Sequence, residues 1–565
     1  MYNLPPMWQH NYSPVGGSLG LSAAAAAIPL VVLFVMLGVV RKPTWMAALS
    51  ALASALVVSL FVYGMPAKLA IISTVYGAAY GMFPIAWVVF ASMMLYRLAV
   101  DTGKFEIIKD SVGSLTNDRR LQALFIAFSF GAFIEGAAGF GAPVAVAGAM
   151  LAGLGFNPFF AAGICLLANT SPVAFGSIGI PVTTLAGVTG LPVLALSAMV
   201  GRLCAMMSVL IPAYLVIVMA GRQRAMQVLP AIAACGISFA GTQLLVSNFI
   251  GPELTDIMSS LTCIVVMVGV LKLWTPATIM RLEGEHEATL TPHRHAPGEL
   301  FVAWLPYLFL VIAVLIVGAP SIKTAIDQWT NGLIAGVSIK SATVVNGLNV
   351  PGLHNAITRI PPVVARPSPY AAVFTLNWLS ASGSACFIAL VAAALFLRVG
   401  PARLARVYTA TFRQLSKAML TIASMLGLAY LMNYSGMTST LGLALAGTGA
   451  AFPFFSAVVG WLGVFLTGSD TSANALFGNL QVVTANALGL NPILTASVNS
   501  AAGVMGKMIS VQSIAVAVAA TGMSHADESR LFRFTIRHSV LLMSVMGVLA
   551  LLFAYVLTGF VPGAK

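Results

Sequence analysis

The sequence predicts an all-α polytopic membrane protein with inverted-topology repeats, re-entrant hairpins and broken transmembrane helices. Of its 565 residues, 59% are hydrophobic and only 8% are charged, and the mean hydropathy is +0.96. A soluble globular domain carries about 25% charged residues. Two segments, 119–185 and 452–522, are too polar and too glycine-rich to be plain spans. Because these segments resemble each other, we expect one integral membrane domain over residues 1–565 that contains two related halves.

Apolar runs of the length that crosses a bilayer, about 20 residues, recur from residue 19 to the end of the chain. Lys and Arg cluster between these runs, as in cytoplasmic loops under the positive-inside rule. This pattern predicts outside termini, a cytoplasmic loop over 276–300 and a periplasmic loop over 319–370. It also explains the net charge of +13 without a nucleic-acid partner. The predicted spans are 20–40, 44–64, 84–101, 190–220, 228–250, 255–275, 301–318, 371–397, 417–433 and 538–560; segment 66–83 is part of a long tilted helix or a separate short one.

The signatures of soluble enzymes and metal sites are missing from the sequence. All five cysteines fall inside apolar stretches, and none forms a CxxC pair. There is no GxxxxGK[ST], no HExxH, and no GxGxxG after a strand. We therefore expect no metal, no cofactor and no nucleotide-driven pump.

An internal repeat relates the two glycine-rich segments. RLAVDTGKFE matches LMNYSGMTST, with Gly103 opposite Gly436. GAFIEGAAGFG matches GSDTSANALFG, with Glu135 opposite Asp470, and GFNP matches GLNP further on. The nearly constant offset of these three matches predicts a first repeat core over 84–185 and a second over 417–522.

The flanks of the two copies indicate that the repeats are inverted. The segment from Lys104 to Arg120 carries four basic residues, whereas its counterpart, Met437 to Pro453, carries no charge. The positive-inside rule places the first in the cytoplasm and the second outside. Inverted repeats are typical of secondary transporters, whose substrate site lies where glycine- or proline-interrupted segments of the two halves meet.

The run Phe130–Pro143 contains one carboxylate, Glu135, among Gly, Ala and Phe. A charge at the centre of a membrane helix costs about 2.5–3.5 kcal/mol on insertion scales, so such a residue is usually functional. Its glycines indicate irregular backbone, which membranes tolerate only where protein buries it or a wet cavity adjoins it. The backbone positions expected to shape this hairpin and its counterpart are Gly136, Gly139, Gly141 and Gly468.

A second interruption in the first copy is Asn169-Thr170-Ser171-Pro172. Pro172 lacks an amide and disfavours helix at Ser171, which predicts a break there. A half-helix that starts after the break would direct free N–H groups at an anion. We therefore take Asn169, Thr170 and Ser171 as candidate substrate contacts.

The second copy carries Asp470 and, in NSAAGVMGKMIS, an isolated lysine, Lys507. Lys507 is predicted to bind a substrate carboxylate and to pair with Asp470 when the site is empty; the alternative is a lysine that snorkels from a helix end. Glu135 and Asp470 are the candidate proton carriers, because burial brings carboxyl groups into a range where they exchange protons. Alternatively, they form a structural pair.

Small polar side chains near Asp470 suit a hydroxy acid. Ser469, Thr471, Ser472 and Asn474 are candidate contacts, although such residues also join membrane helices routinely. Arg202, within the span 190–220, is a candidate second anion contact, or else it snorkels to the cytoplasmic surface.

The sequence resembles the lactate permease family over residue 20 to the C-terminus. The resemblance is carried by FGAFIEGAAGFGAPVAVAGAMLAGLGFNP, LANTSPVAFGSIGIP and LTGSDTSANALFGNLQ. It implies proton-coupled uptake of L-lactate, with D-lactate or glycolate as further substrates, across a bacterial inner membrane. It also implies kinship with the ion-transporter superfamily, in which substrate lies between two re-entrant hairpins and two broken helices. The expected partners are a small monocarboxylate, H⁺ and the lipid bilayer; a homo-oligomer is left open.

Two other functions are compatible with these residues. One is a Na⁺-coupled dicarboxylate carrier, for which we would expect a second cation in the site. The other is an intramembrane hydrolase with a Ser171–Lys507 dyad, which requires the two side chains within hydrogen-bond reach. The inverted repeat favours transport, because alternating access uses a two-fold symmetry that a catalytic site does not need.

Overall fold

The computed structural model describes residues 8–139, 141–281, 295–335 and 347–563. Within these ranges eleven helices are long and apolar enough to cross a membrane, or thirteen if two bent helix pairs each count as one span. The predicted multi-pass helical fold is thereby confirmed. The predicted cytoplasmic loop 276–300 and periplasmic loop 319–370 lie partly outside the described residues.

The first half of the chain contains fourteen described helices. They are α1 (Leu19–Phe34), α2 (Thr44–Phe61), α3 (Ala67–Tyr80), α4 (Trp87–Asp101), α5 (Lys104–Gly113), α6 (Arg119–Gln122), α7 (Gly131–Ala137), α8 (Ala142–Gly153), α9 (Pro158–Ala168), α10 (Gly176–Thr189), α11 (Val193–Ala220), α12 (Arg222–Met226), α13 (Leu229–Phe249) and α14 (Thr255–Leu273).

The second half begins with the spanning helix α15 (Pro297–Gly318) and ends with α24 (Glu528–Tyr555). Between them lie α16 (Pro320–Ala335), α17 (Ser382–Phe396), α18 (Pro401–Ser435), α19 (Met437–Leu445), α20 (Phe452–Thr467), α21 (Asp470–Leu488), α22 (Pro492–Lys507) and α23 (Val511–Ala520).

Helix boundaries in the two halves correspond at an offset close to that of the sequence repeat. Ala67 and Pro401, which begin α3 and α18, are 334 residues apart, as are Pro158 and Pro492, which begin α9 and α22. The ends of α11 and α24 are 335 residues apart. Helices on both sides of the cores predicted over 84–185 and 417–522 therefore also correspond at this offset.

Two of the three sequence matches mark equivalent turns. Gly103 and Gly436 both follow a long helix with left-handed backbone, at φ 73° and 87°. Gly155 and Gly489 are also left-handed, at φ 98° and 70°. Glycine adopts this conformation without the steric cost that a Cβ adds.

Equivalent helices of the two repeats run antiparallel. Arg403, near the start of α18, forms an ion pair with Asp101 at the end of α4. At the other end of this pair of helices, Gly77 of α3 lies against the backbone of Leu426 of α18. This arrangement is the direct consequence of repeats related by inversion in the membrane plane.

Each repeat contains a helical hairpin followed by a broken helix. In the first repeat, residues 119–137 form one continuous arm, π-helical over Ala123–Phe130, and α8 returns after a tip that includes Ala138, Gly139 and Gly141. In the second repeat, α20 and α21 form the arms on either side of Gly468 and Ser469. The broken helices are α9 with α10, bent by 62°, and α22 with α23, bent by 41°.

A small sheet joins the N-terminus to the segment before α17. Strand β1 (Trp8–Gln9) pairs in parallel with β3 (Ile357–Arg359), which pairs antiparallel with β4 (Ser368–Pro369). A second pair consists of β2 (Leu348–Asn349) and β5 (Val373–Phe374). Residues 8–9 and this segment therefore lie on one face of the protein.

Two predicted segments differ from the structure. The span predicted over 371–397 is helical only from Ser382, because residues 373–374 pair in the sheet and Ala371 accepts a hydrogen bond from the Tyr434 hydroxyl. The segment predicted as a loop from 319 begins with helix α16. The sequence is compatible with a long tilted helix or a separate short one over 66–83; in the structure, α3 leads into α4 through a kink at Phe83.

The base of the first hairpin arm, at residues 118–120, is held by a buried ion pair. Arg120, fully buried, bonds to both carboxylate oxygens of Asp118 at 3.0 and 2.7 Å. The guanidinium also donates to the carbonyls of Arg224 and Thr278 and to Gln227. The network ties the hairpin base to the turn between α11 and α13 and to the segment after α14.

Candidate functional site

Both hairpins and both helix breaks meet at one cavity of about 120 Å³. The hairpins contribute Glu135 and Gly141 from the first and 467–472 from the second. The broken helices contribute Val173, Gly176, Ser177, Ile180 and Pro181, and Lys507, Gln512, Ser513 and Val516; α18 and the start of α2 contribute Ala418, Thr421, Ile422 and Thr44. The hairpin tips therefore end inside the protein, as re-entrant elements do.

An ion pair between the two repeats lies in this cavity. The Lys507 ammonium is 2.8 Å from Oε1 of Glu135, and the two side chains are 12% and 4% exposed. The second oxygen of Glu135, Oε2, is buried without a hydrogen-bond partner among the described residues. A buried charge is stable only when it is paired. Removing either partner would therefore leave the other as an unpaired buried charge, which costs free energy.

A glycine in the first helix break makes room for the Glu135 carboxylate. A Cβ built on Gly176 would lie 2.5 Å from Oε1 of Glu135. Such a separation is shorter than any van der Waals contact, so a larger residue at this position would displace the carboxylate. Gly176, at the start of α10, thus limits where the Glu135 carboxylate can lie.

The first broken helix departs from helical backbone over a longer stretch than predicted. A turn over 169–172 leads into a 3₁₀ turn at Val173–Phe175, and Ser177, Ile178 and Gly179 are left-handed at φ 48°, 59° and 70°. Non-glycine residues adopt this region rarely and at a cost. Regular helix resumes only after Gly179, so the predicted break at Ser171-Pro172 is its beginning.

The three residues predicted at that break lie behind the cavity. Asn169 lines a smaller cleft that Lys507 also lines, and its Oδ1 is buried without a partner in the described chain. Thr170 bonds to the carbonyl of Leu167, and the carbonyl of Ser171 accepts from Gln243. None of the three is among the residues that line the main cavity.

Asp470 begins the second arm of the second hairpin, directly after its tip. Its Oδ2 accepts a hydrogen bond from Ser500 at 2.7 Å. Its Oδ1 lies against Gly503, because a Cβ built on this glycine would be only 2.6 Å from the oxygen. The predicted pairing of Lys507 with Asp470 is wrong for this structure, because Lys507 bonds to Glu135. Asp470 is also not equivalent to Glu135, which precedes the tip of its own hairpin.

Polar side chains join the second hairpin to its broken helix. Asn474 donates to Ser500 and to the carbonyl of Pro181, and it accepts from Asn499, to which Gln481 donates at 3.0 Å. Asn474 is therefore part of this network and does not line the cavity. Ser469, Thr471 and Ser472 do line it, and Ser469 also caps α21 by accepting from the Ser472 amide.

Arg202 lies away from the cavity. Its Nε donates to Asn248 at 3.0 Å and its Nη1 bonds to the carbonyl of Phe560. The expectation of a second anion contact at Arg202 is wrong for this structure, because the guanidinium is engaged between α13 and the C-terminal segment.

The four predicted hairpin glycines have different surroundings. Gly139, Gly141 and Gly468 are left-handed, at φ 60°, 83° and 70°, and shape the tips. Gly139 also admits Ser177, whose hydroxyl donates to the carbonyl of Ala138 at 3.1 Å. Gly136 is helical and faces α14, where a built Cβ would lie 2.8 Å from Cβ of Asp256.

Asp256 is a buried carboxylate that the sequence analysis did not single out. It lies in the first turn of α14 with 0% exposure, and neither of its carboxylate oxygens has a hydrogen-bond partner in the described chain. The available signal was an acidic residue at the start of the predicted span 255–275. Its nearness to a predicted helix end made it resemble an ordinary loop charge.

The chain matches the family model described as L-lactate permease over residues 22–557. It is 47% identical over 569 residues to the L-lactate permease of Bacillus subtilis (strain 168), covering 98% of this chain and 100% of that protein. It is 45% identical over 568 residues to glycolate permease GlcA of Escherichia coli (strain K12), covering 98% and 99%. The solved Alcanivorax borkumensis YdaH transporter aligns with 86% of this chain and 88% of its own at 14% identity, with a TM-score of 0.43.

Proposed function

Because the chain belongs to the L-lactate permease family, a family of multi-pass proteins of the bacterial inner membrane, we propose that it takes up L-lactate by proton symport. D-lactate and glycolate are further expected substrates, since one relative is named a glycolate permease. The observation that carries this proposal is the Lys507–Glu135 ion pair, which lies between the two repeats in the cavity.

The ion pair provides a simple mechanism of coupling. A lactate carboxylate that binds Lys507 takes the cation away from Glu135, which is then a buried anion without a partner. Such an anion is too costly to carry across the membrane, so Glu135 takes up a proton. The empty site with its ion pair and the loaded site with lactate and a protonated Glu135 are both neutral. A site loaded with lactate but no proton would carry one uncompensated negative charge. Because only the neutral states cross the membrane readily, lactate and the proton are transported together.

The cavity suits a small hydroxy acid. Its volume of about 120 Å³ equals that of about four liquid water molecules. Ser469, Thr471 and Ser472 line it and supply hydroxyl groups for the substrate hydroxyl. Asp470, which lines the cavity beside them, is a further acceptor for that hydroxyl and remains a second candidate proton carrier.

The charge of the lining favours a monocarboxylate over a dicarboxylate. Among the residues that line the cavity in the described chain, Lys507 is the only Lys or Arg. A second carboxylate would therefore have no cation in the cavity to pair with. This argues against the Na⁺-coupled dicarboxylate carrier.

The hydrolase alternative receives no support from the geometry. The hydroxyl of Ser171 has no hydrogen-bond partner in the described chain, and Lys507 bonds to Glu135 instead. A Ser–Lys dyad needs a hydrogen bond between nucleophile and base.

The test is uptake of labelled L-lactate by proteoliposomes that contain the purified protein. H⁺ and Na⁺ gradients are imposed separately, and unlabelled lactate, glycolate and succinate serve as competitors. We expect accumulation with an inward H⁺ gradient alone, inhibition by glycolate and none by succinate. Accumulation driven by Na⁺ alone would contradict proton symport, and the absence of any lactate uptake would contradict the substrate.

A further inference from the structure

Asp256 has no structural task that the described chain accounts for. An aspartate in the first turn of a helix commonly accepts a hydrogen bond from a free backbone N–H, but both oxygens of Asp256 are unpartnered and buried. An ionised carboxylate in this situation is expensive. The group is therefore stable here as a neutral acid, which can give up its proton when a nearby base appears.

Glu135 is the base that lies nearest by position. Helix α14 packs against the hairpin arm that carries Glu135, and Gly136, the next residue, lies directly on the Asp256 side chain. Electrostatic interactions connect Asp256 to both Glu135 and Lys507. Asp256 is not among the residues that line the cavity, so it lies on the α14 side of the hairpin arm and outside the substrate cavity.

The other elements packed against α14 contribute no Asp, Glu, Lys, Arg or His. This holds for α13, for the π-helical stretch Ala123–Phe130 and for α10. The thiol of Cys204 on α11 interacts electrostatically with Asp256, and Cys235 on α13 bonds to Cys263 further along α14. Glu253, in the preceding turn, accepts from Ser382. Glu135 and Lys507 are thus the charged groups that neighbouring helices bring to Asp256.

We propose that Asp256 donates the proton that Glu135 takes up when substrate occupies Lys507. This inference rests on the proposed proton symport. In the empty site Glu135 is ionised and paired, and Asp256 is protonated. When lactate binds Lys507, the O–H bond of Asp256 breaks and one forms on a Glu135 oxygen, so the negative charge moves to Asp256. Asp256 then takes a proton from a hydronium ion of the aqueous phase, which is left as water, and the loaded site is neutral.

This order of events separates the paths of the two solutes. Lactate reaches Lys507 through the cavity, whereas the proton reaches Glu135 from the α14 side. Two carboxylates this close are rarely both ionised, because like charges repel in a low dielectric. Because only one of the two is ionised at a time, a proton can move from Asp256 to Glu135 without both carboxylates being charged at once.

The first test compares Asp256→Asn with the wild type in proteoliposomes that contain a pH-sensitive dye. The amide has nearly the same size but cannot donate a carboxyl proton. We expect equilibrium binding of lactate close to that of the wild type, while lactate-induced proton uptake slows by about 100-fold, a typical contribution of a positioned acid. Counterflow should slow with it, because the loaded site crosses the membrane only with a protonated Glu135. Asp256→Glu, which keeps the carboxyl group, should restore a large part of the proton uptake.

Each other outcome is equally informative. If Asp256→Asn takes up protons at the wild-type rate, Asp256 is a permanently neutral packing residue and the inference is wrong. If the folded variant loses lactate binding as well, the residue acts in binding or structure, and the inference is again wrong. Glu135→Gln measured alongside separates the two proposals: intact proton coupling in that variant refutes the role of Glu135, whereas intact coupling in Asp256→Asn alone refutes only that of Asp256.

A second test uses the wild-type protein and does not depend on the folding of a variant. Dicyclohexylcarbodiimide is an apolar reagent that adds across a protonated carboxyl group in membranes and leaves a stable N-acylurea. We expect peptide mass spectrometry of the empty protein to show the adduct on Asp256 and not on Glu135, which is ion-paired. An unmodified Asp256, or modification of Glu135 in its place, would overturn the inference.

Discussion

The Lys507 ammonium and Oε1 of Glu135, 372 positions apart in the sequence, lie 2.8 Å from each other where the two inverted repeats meet. Each residue belongs to a different type of element, one to a hairpin arm and the other to the end of a half-helix. The ion pair therefore forms only when the two repeats are correctly placed relative to each other.

Replacing Lys507 by alanine should abolish lactate uptake without preventing membrane insertion. Truncation of one partner in a buried charge pair costs about 2–5 kcal/mol, which is roughly 30-fold to several-thousand-fold in affinity. The measurement is initial uptake in proteoliposomes, with insertion checked by size-exclusion chromatography. Arg202→Gln is the matched control, since Arg202 lies outside the cavity, and it should transport normally. Normal uptake by the Lys507 variant would show that Lys507 does not bind the substrate.

Replacing Glu135 by glutamine should separate exchange from accumulation. The amide remains neutral in every state, so lactate can still bind Lys507 and exchange, but no proton is carried. Counterflow should persist, and accumulation driven by a pH gradient should disappear. Persistent accumulation would show that another group, with Asp470 as the first candidate, carries the proton.

Replacing Gly176 by alanine should impair transport through Glu135. The added methyl group would lie 2.5 Å from Oε1 of the carboxylate and force it out of the ion pair. Overpacking of this kind costs about 1–3 kcal/mol, so we expect a reduction in uptake of about 5-fold to 100-fold. Gly269→Ala is the control, because a Cβ there meets nothing within 4 Å. Equal activity of the two variants would mean that the hairpin can shift to accommodate the methyl group.

Replacing Arg120 by alanine should destabilise the whole domain. Removal of one partner from a buried salt bridge costs about 3–5 kcal/mol, because the other charge remains buried. Thermal unfolding in detergent, followed by tryptophan fluorescence, should show a clear fall in Tm. Arg222→Ala, which removes an exposed arginine of the adjacent turn, should leave Tm unchanged. A small effect at Arg120 would mean that water replaces the network.

The N-terminal segment should loosen on mild acidification. Burial lowers the pKa of His10 to about 4, against an ordinary value of 6.5. The neutral ring is 2.9 Å from the carbonyl of Tyr434 and 3.3 Å from the hydroxyl of Tyr12. Because the folded state disfavours the charged ring, the stabilisation is fully present above pH 6.5 and is lost as pH falls toward 4, by roughly 3 kcal/mol in total.

Hydrogen exchange of residues 8–12 and 357–359 between pH 7 and 4.5, corrected for the intrinsic pH dependence of exchange, measures this loss. His10→Gln, which cannot titrate, should show no additional loss of protection in this range. The same pH dependence in both proteins would assign the effect to another group.

Much of this protein could be predicted from its sequence, because a membrane imposes strong local rules. Spans follow from apolar length, and the repeat from Gly103 and Gly436 and from the GFNP and GLNP turns, where left-handed backbone demands glycine. The isolated charges Glu135, Asp470 and Lys507 could be recognised because a charge in an apolar run is costly wherever its partner lies.

Only the tertiary structure decided how these residues are paired. Alignment of the repeats placed Glu135 opposite Asp470, yet the two hairpins turn at different points relative to these residues, and Lys507 bonds to Glu135. Asp256 was missed for the same reason, since a carboxylate near a helix end is buried or exposed according to what packs over it. The local sequence shows that a charge in an apolar segment needs a partner. Which residue is that partner depends on how helices distant in the sequence pack together.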